Sequence, residues 1–259
     1  MEQRMQPEIN VPLYETERID DLLTHEMKII QSREVFCFSM DAVLLARFAS
    51  VPKRGRVLDM CTGNGAIPLI MTTRSPEAVF EGIEIQERLY DMASRNVKLN
   101  RLESRITMHH GDVKDAVQLF GHGKFDLITC NPPYMPATSG EKNVSEHFAI
   151  ARHEILLSLE DVIRVGSQLL KNGGKIALVH RSTRLVDIIT LMRQYGIEPK
   201  RMRLVYPRRD AEPNMLLIEG MRNGRPELRI QPPLIVYENG EEYCEELQEI
   251  YFGKRDSLA

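Results

Sequence analysis

The chain has 259 residues, 42% of them hydrophobic and 27% charged, with a formal net charge of −3. That is enough for a fold of about 200 residues with a sizeable core plus an appendage, in the composition range of a soluble globular protein. No apolar run approaches the roughly 20 residues of a membrane span, the first residues lack a secretory pattern, and Cys37, Cys61, Cys130 and Cys244 make neither a CxxC pair nor a zinc spacing. The cysteines read as free thiols of a reducing cytoplasm.

In chain order, residues 1–16 are polar without a clear period and read as a tail or a loosely docked arm. Residues 18–31 mix apolar and charged positions, and 34–38 form an aromatic-rich strand candidate. Ser39 or Asp41 can cap a helix over 42–48 whose Val43, Leu44 and Phe48 face inward. A loop over 51–55 leads into the first core strand, which reaches an acid at Asp59. Gly63 and Gly65 then allow a turn too tight for residues carrying a Cβ. A helix over 66–71 follows, with Pro68 tolerated because the first-turn amides have no intrahelical partner.

A second unit repeats this plan, with a strand over 78–85 that delivers Glu84 and a helix over 86–100. Next come a strand over 106–109, Gly111 and Asp112, a short helix to about Phe120, and a strand over 125–130 that runs into Asn131-Pro132-Pro133-Tyr134. Such alternation implies a mainly parallel sheet with helices on both faces, joined by right-handed crossovers. Residues 135–146 read as a mobile loop where a lid would be placed. A helix over 147–170 closed by Asn172-Gly173-Gly174, a strand over 175–180 and a helix over 184–195 complete the alternation. Strands over 201–206 and 215–219 form a hairpin at the end of the sheet. An apolar run at 234–237 and an acidic amphipathic helix over 241–251 end the chain. The expected organisation is an arm and covering helix over 1–50, a main domain over 51–237 and an acidic helix or tail over 238–259.

Strand, glycine turn and helix together present backbone donors to a nucleotide-like ligand. The turn does not match G-x-G-x-x-G, because Pro68 takes the third glycine's place, and no G-K-[ST] follows. Asp59, Glu84 and Asp112 end three successive strands and should gather on one rim. Glu84 stands where an acid commonly receives ribose hydroxyls, Asp112 can accept from an adenine amino group, and Asp59 can orient the turn or meet an ammonium group. A divalent metal is the alternative for three acids. Their separation by whole βα units and the lack of a histidine at ligand spacing favour an organic cofactor.

Asn131 to Tyr134 carry the sharpest chemical signal. An exocyclic amino group presents N–H donors, while its lone pair is delocalised and poorly nucleophilic. Two fixed acceptors, the Asn131 side-chain oxygen and the Pro132 carbonyl, would hold that nitrogen and favour its pyramidal form as it attacks. No strong base is needed, because the positive charge leaves with a proton once the bond forms. Pro132 and Pro133 pre-set the backbone angles, and Tyr134 can stack on a planar substrate.

Charge is unevenly spread: residues 164–229 carry fourteen Lys or Arg against six Asp or Glu, and 238–259 carry seven acids against two bases. The basic region is either a face for a polyanion or a solvated surface.

The combination resembles the amino-methylating class I S-adenosylmethionine-dependent methyltransferases. Within them it is similar to the bacterial tRNA adenine-N6 methyltransferase family that acts on adenine 37 of a valine tRNA. FCFSMDAVLLARFA from Phe36, VLDMCTGNG, GIEI with Glu84, Gly111-Asp112, NPPY and ARHE from Ala151 carry the likeness, over roughly residues 17–237. It implies a Rossmann-like, doubly wound sheet of seven strands whose last is antiparallel, S-adenosylmethionine as methyl donor, and a structured tRNA as partner. By position, Gly63 and Gly65 would approach the cofactor, Glu84 its ribose and Asp112 its adenine, with Phe38 to Asp41 covering it. Asn131 and Tyr134 would receive the target base. Arg152, His153, Arg208 and Arg209 are further substrate contacts to test. Cys61 stands where such enzymes more often have glycine. NPPY also occurs in enzymes resembling the glutamine-N5 methyltransferases of release factors and DNA adenine methyltransferases, so it does not choose the substrate. The arginine-rich region leans toward RNA.

Overall fold

The structure, a computed structural model, describes residues 11–22, 26–35, 39–132 and 157–252. Its centre is a nine-stranded sheet. The main strands are β3 (Arg54–Met60), β4 (Glu77–Glu84), β5 (Ile106–His110), β6 (Phe125–Cys130), β7 (Leu170–Arg181), β8 (Ile197–Tyr206) and β9 (Met215–Arg222). Two short strands, β10 (Arg229–Ile230) and β11 (Leu234–Ile235), extend it beyond β8, and the spatial order is β10-β8-β9-β7-β6-β3-β4-β5. The seven main strands and the antiparallel last one, β9, match the expected class I arrangement.

The strands read as near-continuous apolar runs because both faces of the sheet are covered. Successive residues alternate between two cores: Val57, Leu127 and Ala177 point to one, Leu58, Ile128 and Leu178 to the other. The first core is closed by α1 (Met40–Phe48) and α2 (Ala66–Thr72). The second is closed by α4 (Ala116–Phe120), α5 (Leu159–Leu169) and α6 (Leu185–Gln194). Along α3 (Glu87–Leu99), Leu89 and Met92 are buried with Val11, Ile30 and Val35.

Several expectations need correction. Of the strand expected over 34–38, Glu34 and Val35 lie in a turn and residues 36–38 lie outside the described ones; the strand described here is β2 (Lys28–Ser32), which pairs antiparallel with an unanticipated β1 (Glu17–Asp21). The hairpin is held by side chains of α3 and of Asn100, which follows it. Ile30 N–H donates to Asn96 Oδ1 at 2.6 Å and Lys28 N–H to Asn100 Oδ1 at 2.9 Å, while the two amide nitrogens donate back to the same residues' carbonyls at 3.3 and 2.7 Å. Two asparagines one helical turn apart thus serve β2 as a neighbouring strand would.

Ser39 occupies the cap position of α1 but makes no capping hydrogen bond. Of the helix expected over 147–170, the described part is α5, which starts at Leu159 where Ser158 and Asp161 form a reciprocal capping box. Residues 147–156 lie outside the described ones, as does the stretch 135–146 expected to be a loop. Asn172-Gly173-Gly174 do not end that helix; β7 already begins at Leu170 and runs through them. The C-terminal helix, α7 (Glu245–Phe252), is shorter than expected and follows a small hairpin of β12 (Tyr237–Asn239) and β13 (Glu242–Tyr243).

Candidate active site

The sheet reverses its strand order at β3. The chain moves outward from β3 to β4 and β5, then returns to place β6 on the other side of β3. In an open α/β sheet the crevice beyond such a switch point is where ligands bind. Met60 pairs with Cys130 in register, so Cys61 and Asn131 leave the sheet side by side.

Beyond β3 the chain turns through three left-handed residues, Cys61 (φ 57°), Gly63 (φ 57°) and Gly65 (φ 84°). This explains the preference for glycine at the position of Cys61, since a Cβ in that region costs roughly 1 kcal/mol. A Cβ built on Gly63 would meet nothing within 4 Å, so the turn faces open space there, whereas one on Gly65 would lie 3.0 Å from Met108. Gly63 N–H donates to Glu84 Oε2 at 2.9 Å and Gln86 N–H to Glu84 Oε1 at 3.0 Å. The Glu84 carboxylate is thereby fixed across the mouth of the turn. Burial raises its pKa against the opposing pull of those amides and of His110.

Asp112 sits beyond β5, where Gly111 N–H donates to the Glu84 carbonyl at 3.0 Å. Its Oδ1 accepts from Lys114 N–H at 2.9 Å, and the side chain remains partly exposed. Asp59 is 1% exposed and ties the two strands of the switch point together, accepting from Thr129 Oγ1 at 2.6 Å. Burial pushes its pKa up to about 7. Thr129, and Thr62 close by, oppose this, while the Glu84 charge adds to it. Thr62 Oγ1 and Asp59 Oδ2 are both buried without a hydrogen-bond partner among the described residues.

The expected rim of Asp59, Glu84 and Asp112 is therefore assembled, with Gly63 and Gly65 beside it. Asn131 follows β6, and its Oδ1 is likewise buried without a hydrogen-bond partner among the described residues. Pro132 beside it is buried. An unmade hydrogen bond at a buried oxygen costs about 1–3 kcal/mol, so two of them at one switch point suit a ligand rich in N–H donors. Cys130 is no candidate nucleophile, because burial and the adjacent Cys61 hold its thiol protonated. His180, at the end of β7, is pushed down to about 4 by burial and then by Arg184 and Arg181, and is neutral near pH 7.

Asp41 is buried in the first turn of α1. Phe38, Pro133, Tyr134, Arg152 and His153 lie outside the described residues. Arg208 and Arg209 follow β8, and both are engaged. Arg208 donates to the Gly240 carbonyl, and Arg209 pairs with Glu238 at 3.1 Å. Sequence reasoning missed three positioning residues, Thr129, Asn64 and Asn96. Thr129 had a signal, since two residues before Asn131 on a strand places it on the same face. Asn64 and Asn96 had none, because their contacts, Asn64 Nδ2 to the Ile30 carbonyl and Asn96 Nδ2 to the Asn64 carbonyl, span 34 and 32 residues.

The fold is that of a class I methyltransferase. A predicted O-methyltransferase from Agrobacterium tumefaciens superposes with a TM-score of 0.67 at 21% identity, covering 83% of this chain and 96% of that one. Residues 26–195 match the model of the methyltransferase small domain, and the chain belongs to that family. It is similar to the tRNA1(Val) (adenine(37)-N6)-methyltransferase of Porphyromonas gingivalis, at 33% identity over 185 residues, covering 69% of this chain and 72% of the relative. The protein of the same name from Vibrio cholerae is 29% identical over 216 residues, covering 82% and 87%.

Proposed function

We propose that the protein transfers a methyl group from S-adenosylmethionine to the N6 amino group of an adenine in tRNA, adenine 37 of a valine tRNA, in the cytoplasm. The observation that carries this reading is the buried Asn131 oxygen, unpartnered among the described residues, beside the Gly63–Glu84 rim, in a chain whose relatives bear that activity in their names. The residues fit the donor. Glu84 would take the ribose hydroxyls, Asp112 the adenine edge and Asp59 the ammonium group, with the open face of Gly63 allowing close approach. Bound there, S-adenosylmethionine supplies an electrophilic methyl group on a sulfonium.

The chain's own part is orientation. Asn131 Oδ1 and the Pro132 carbonyl accept the two N–H bonds of the amine, turning its lone pair out of the ring plane, and Tyr134 stacks on the base. The amine's proton passes to solvent after transfer.

Parallel strands end on one rim. Since β7 and β8 both run antiparallel to β9, the end of β8 with Arg208 and Arg209 lies on the same edge as Asn131. Three strand spacings separate β8 from β6, about 14 Å, within reach of phosphates flanking the target base. The test is incubation with labelled S-adenosylmethionine and, separately, undermodified tRNA, release-factor protein and adenine-containing DNA, with the methyl group located by mass spectrometry. N6-methyladenine at position 37 is the expected product. Label in glutamine, or in DNA alone, would overturn the tRNA reading.

A further inference from the structure

The two arginines assigned to RNA are already occupied, and by one small element. Arg209 Nη2 donates to Glu238 Oε1 at 3.1 Å, Arg208 Nη2 donates to the Gly240 carbonyl at 3.4 Å, and the Arg208 guanidinium lies 5.9 Å from the centre of the Tyr237 ring. All three partners belong to the β12–β13 hairpin, which turns at Gly240 with φ 64°. A carboxylate and a carbonyl on neighbouring guanidinium groups offer the acceptor chemistry of a phosphodiester.

The hairpin is fastened from behind. Tyr237 N–H donates to the Pro207 carbonyl at 3.0 Å, and Cys244 N–H to the Val236 carbonyl at 2.9 Å. Leu247 of α7 is fully buried, and Arg203 grips Glu246 at 2.6 and 2.7 Å. The front is loose by comparison: the side chains of Arg209 and Glu238 are 74% and 47% exposed, and an ion pair of that kind contributes about 0–1 kcal/mol. From Glu238 to Phe252 there are six acids and no base, so the whole element repels a polyanion.

We propose that the β12–β13 hairpin is an internal phosphate mimic that sets RNA specificity, its Glu238 and Gly240 acceptors holding Arg209 and Arg208 until an RNA that also fills the base site displaces them. The inference rests on the tRNA reading above. An RNA with no adenine to place at Asn131 must displace Glu238 for little return, because the paired arginine presents almost no net charge and adds little to counterion release. An RNA whose adenine enters the site recovers the cost there.

The test compares the full-length protein with Glu238→Gln, Arg209→Ala and the double variant. Binding of tRNA and of an unrelated RNA hairpin is measured across a salt series, with thermal unfolding as a check on folding. Glu238→Gln should bind the unrelated hairpin about threefold tighter, with a log–log salt slope steeper by about 0.9. In the Arg209→Ala background the same substitution should change neither. Unchanged affinity and slope in Glu238→Gln, with Arg209→Ala still weakening binding, would overturn the mimic and leave the RNA face in place. An Arg209→Ala protein that binds RNA as the parent does would overturn both. Methyl transfer to tRNA by the unaltered protein decides the enzymatic reading separately.

Discussion

Asn131 and Asp59 present the same physical situation with different chemistry. Each holds a buried oxygen without a partner among the described residues at the switch point, Asn131 as a neutral amide and Asp59 as a titratable acid. Asn131→Ala removes an acceptor used most strongly as the attacking nitrogen becomes pyramidal. Turnover should fall by roughly 10²–10³-fold while cofactor affinity, read by calorimetry, changes little. For Asp59, the folded state keeps a proton up to about pH 7 that the unfolded chain releases near its ordinary value of 3.8. The native state binds more protons in that window, so stability decreases as pH rises from about 4 to 7. Asp59→Asn keeps an acceptor for Thr129 and removes the titration. Chemical denaturation of the ligand-free variant across that range should show the pH slope flattened, and an unchanged slope would assign it to other groups.

Elements were legible where local pattern and burial agree. The core strands could be read because both faces of the sheet are covered, and the turn after β3 because its left-handed residues include Gly63 and Gly65. The β1–β2 hairpin could not, since its outer edge is satisfied by Asn96 and Asn100, 66 and 72 residues further along the chain. Asn96→Ala should therefore loosen the hairpin and the Asn64 turn together. It leaves the buried Ile30 N–H unpaired and should cost about 2–3 kcal/mol in equilibrium unfolding. Hydrogen exchange should rise first at Lys28 to Ser32, and uniform exchange across the sheet would instead mark a global loss of packing.

At the scale of the whole molecule, charge is organised by the sheet's polarity. The ends of β8, β7, β6, β3, β4 and β5 share one edge, which collects the cofactor rim, Asn131 and Arg208–Arg209 although they stand up to 150 residues apart in the chain. Replacing Arg208 and Arg209 together by alanine should weaken tRNA binding and flatten its salt dependence, while methylation at saturating tRNA is largely kept. A salt slope equal to the parent's would place the phosphate contacts elsewhere on the rim.

The sequence by itself determined the alternation of strands and helices, the glycine turn, the acids at successive strand ends and the family likeness. Each depends on residues within a few positions of one another, where periodicity and backbone sterics act. The tertiary structure alone decided that Asp59 joins Thr129, that Asn96 and Asn100 complete a strand edge, and that an acidic hairpin covers two arginines of the basic stretch. Those partners meet only when distant segments pack, and whether a side chain is buried, paired or exposed is a property of that packing.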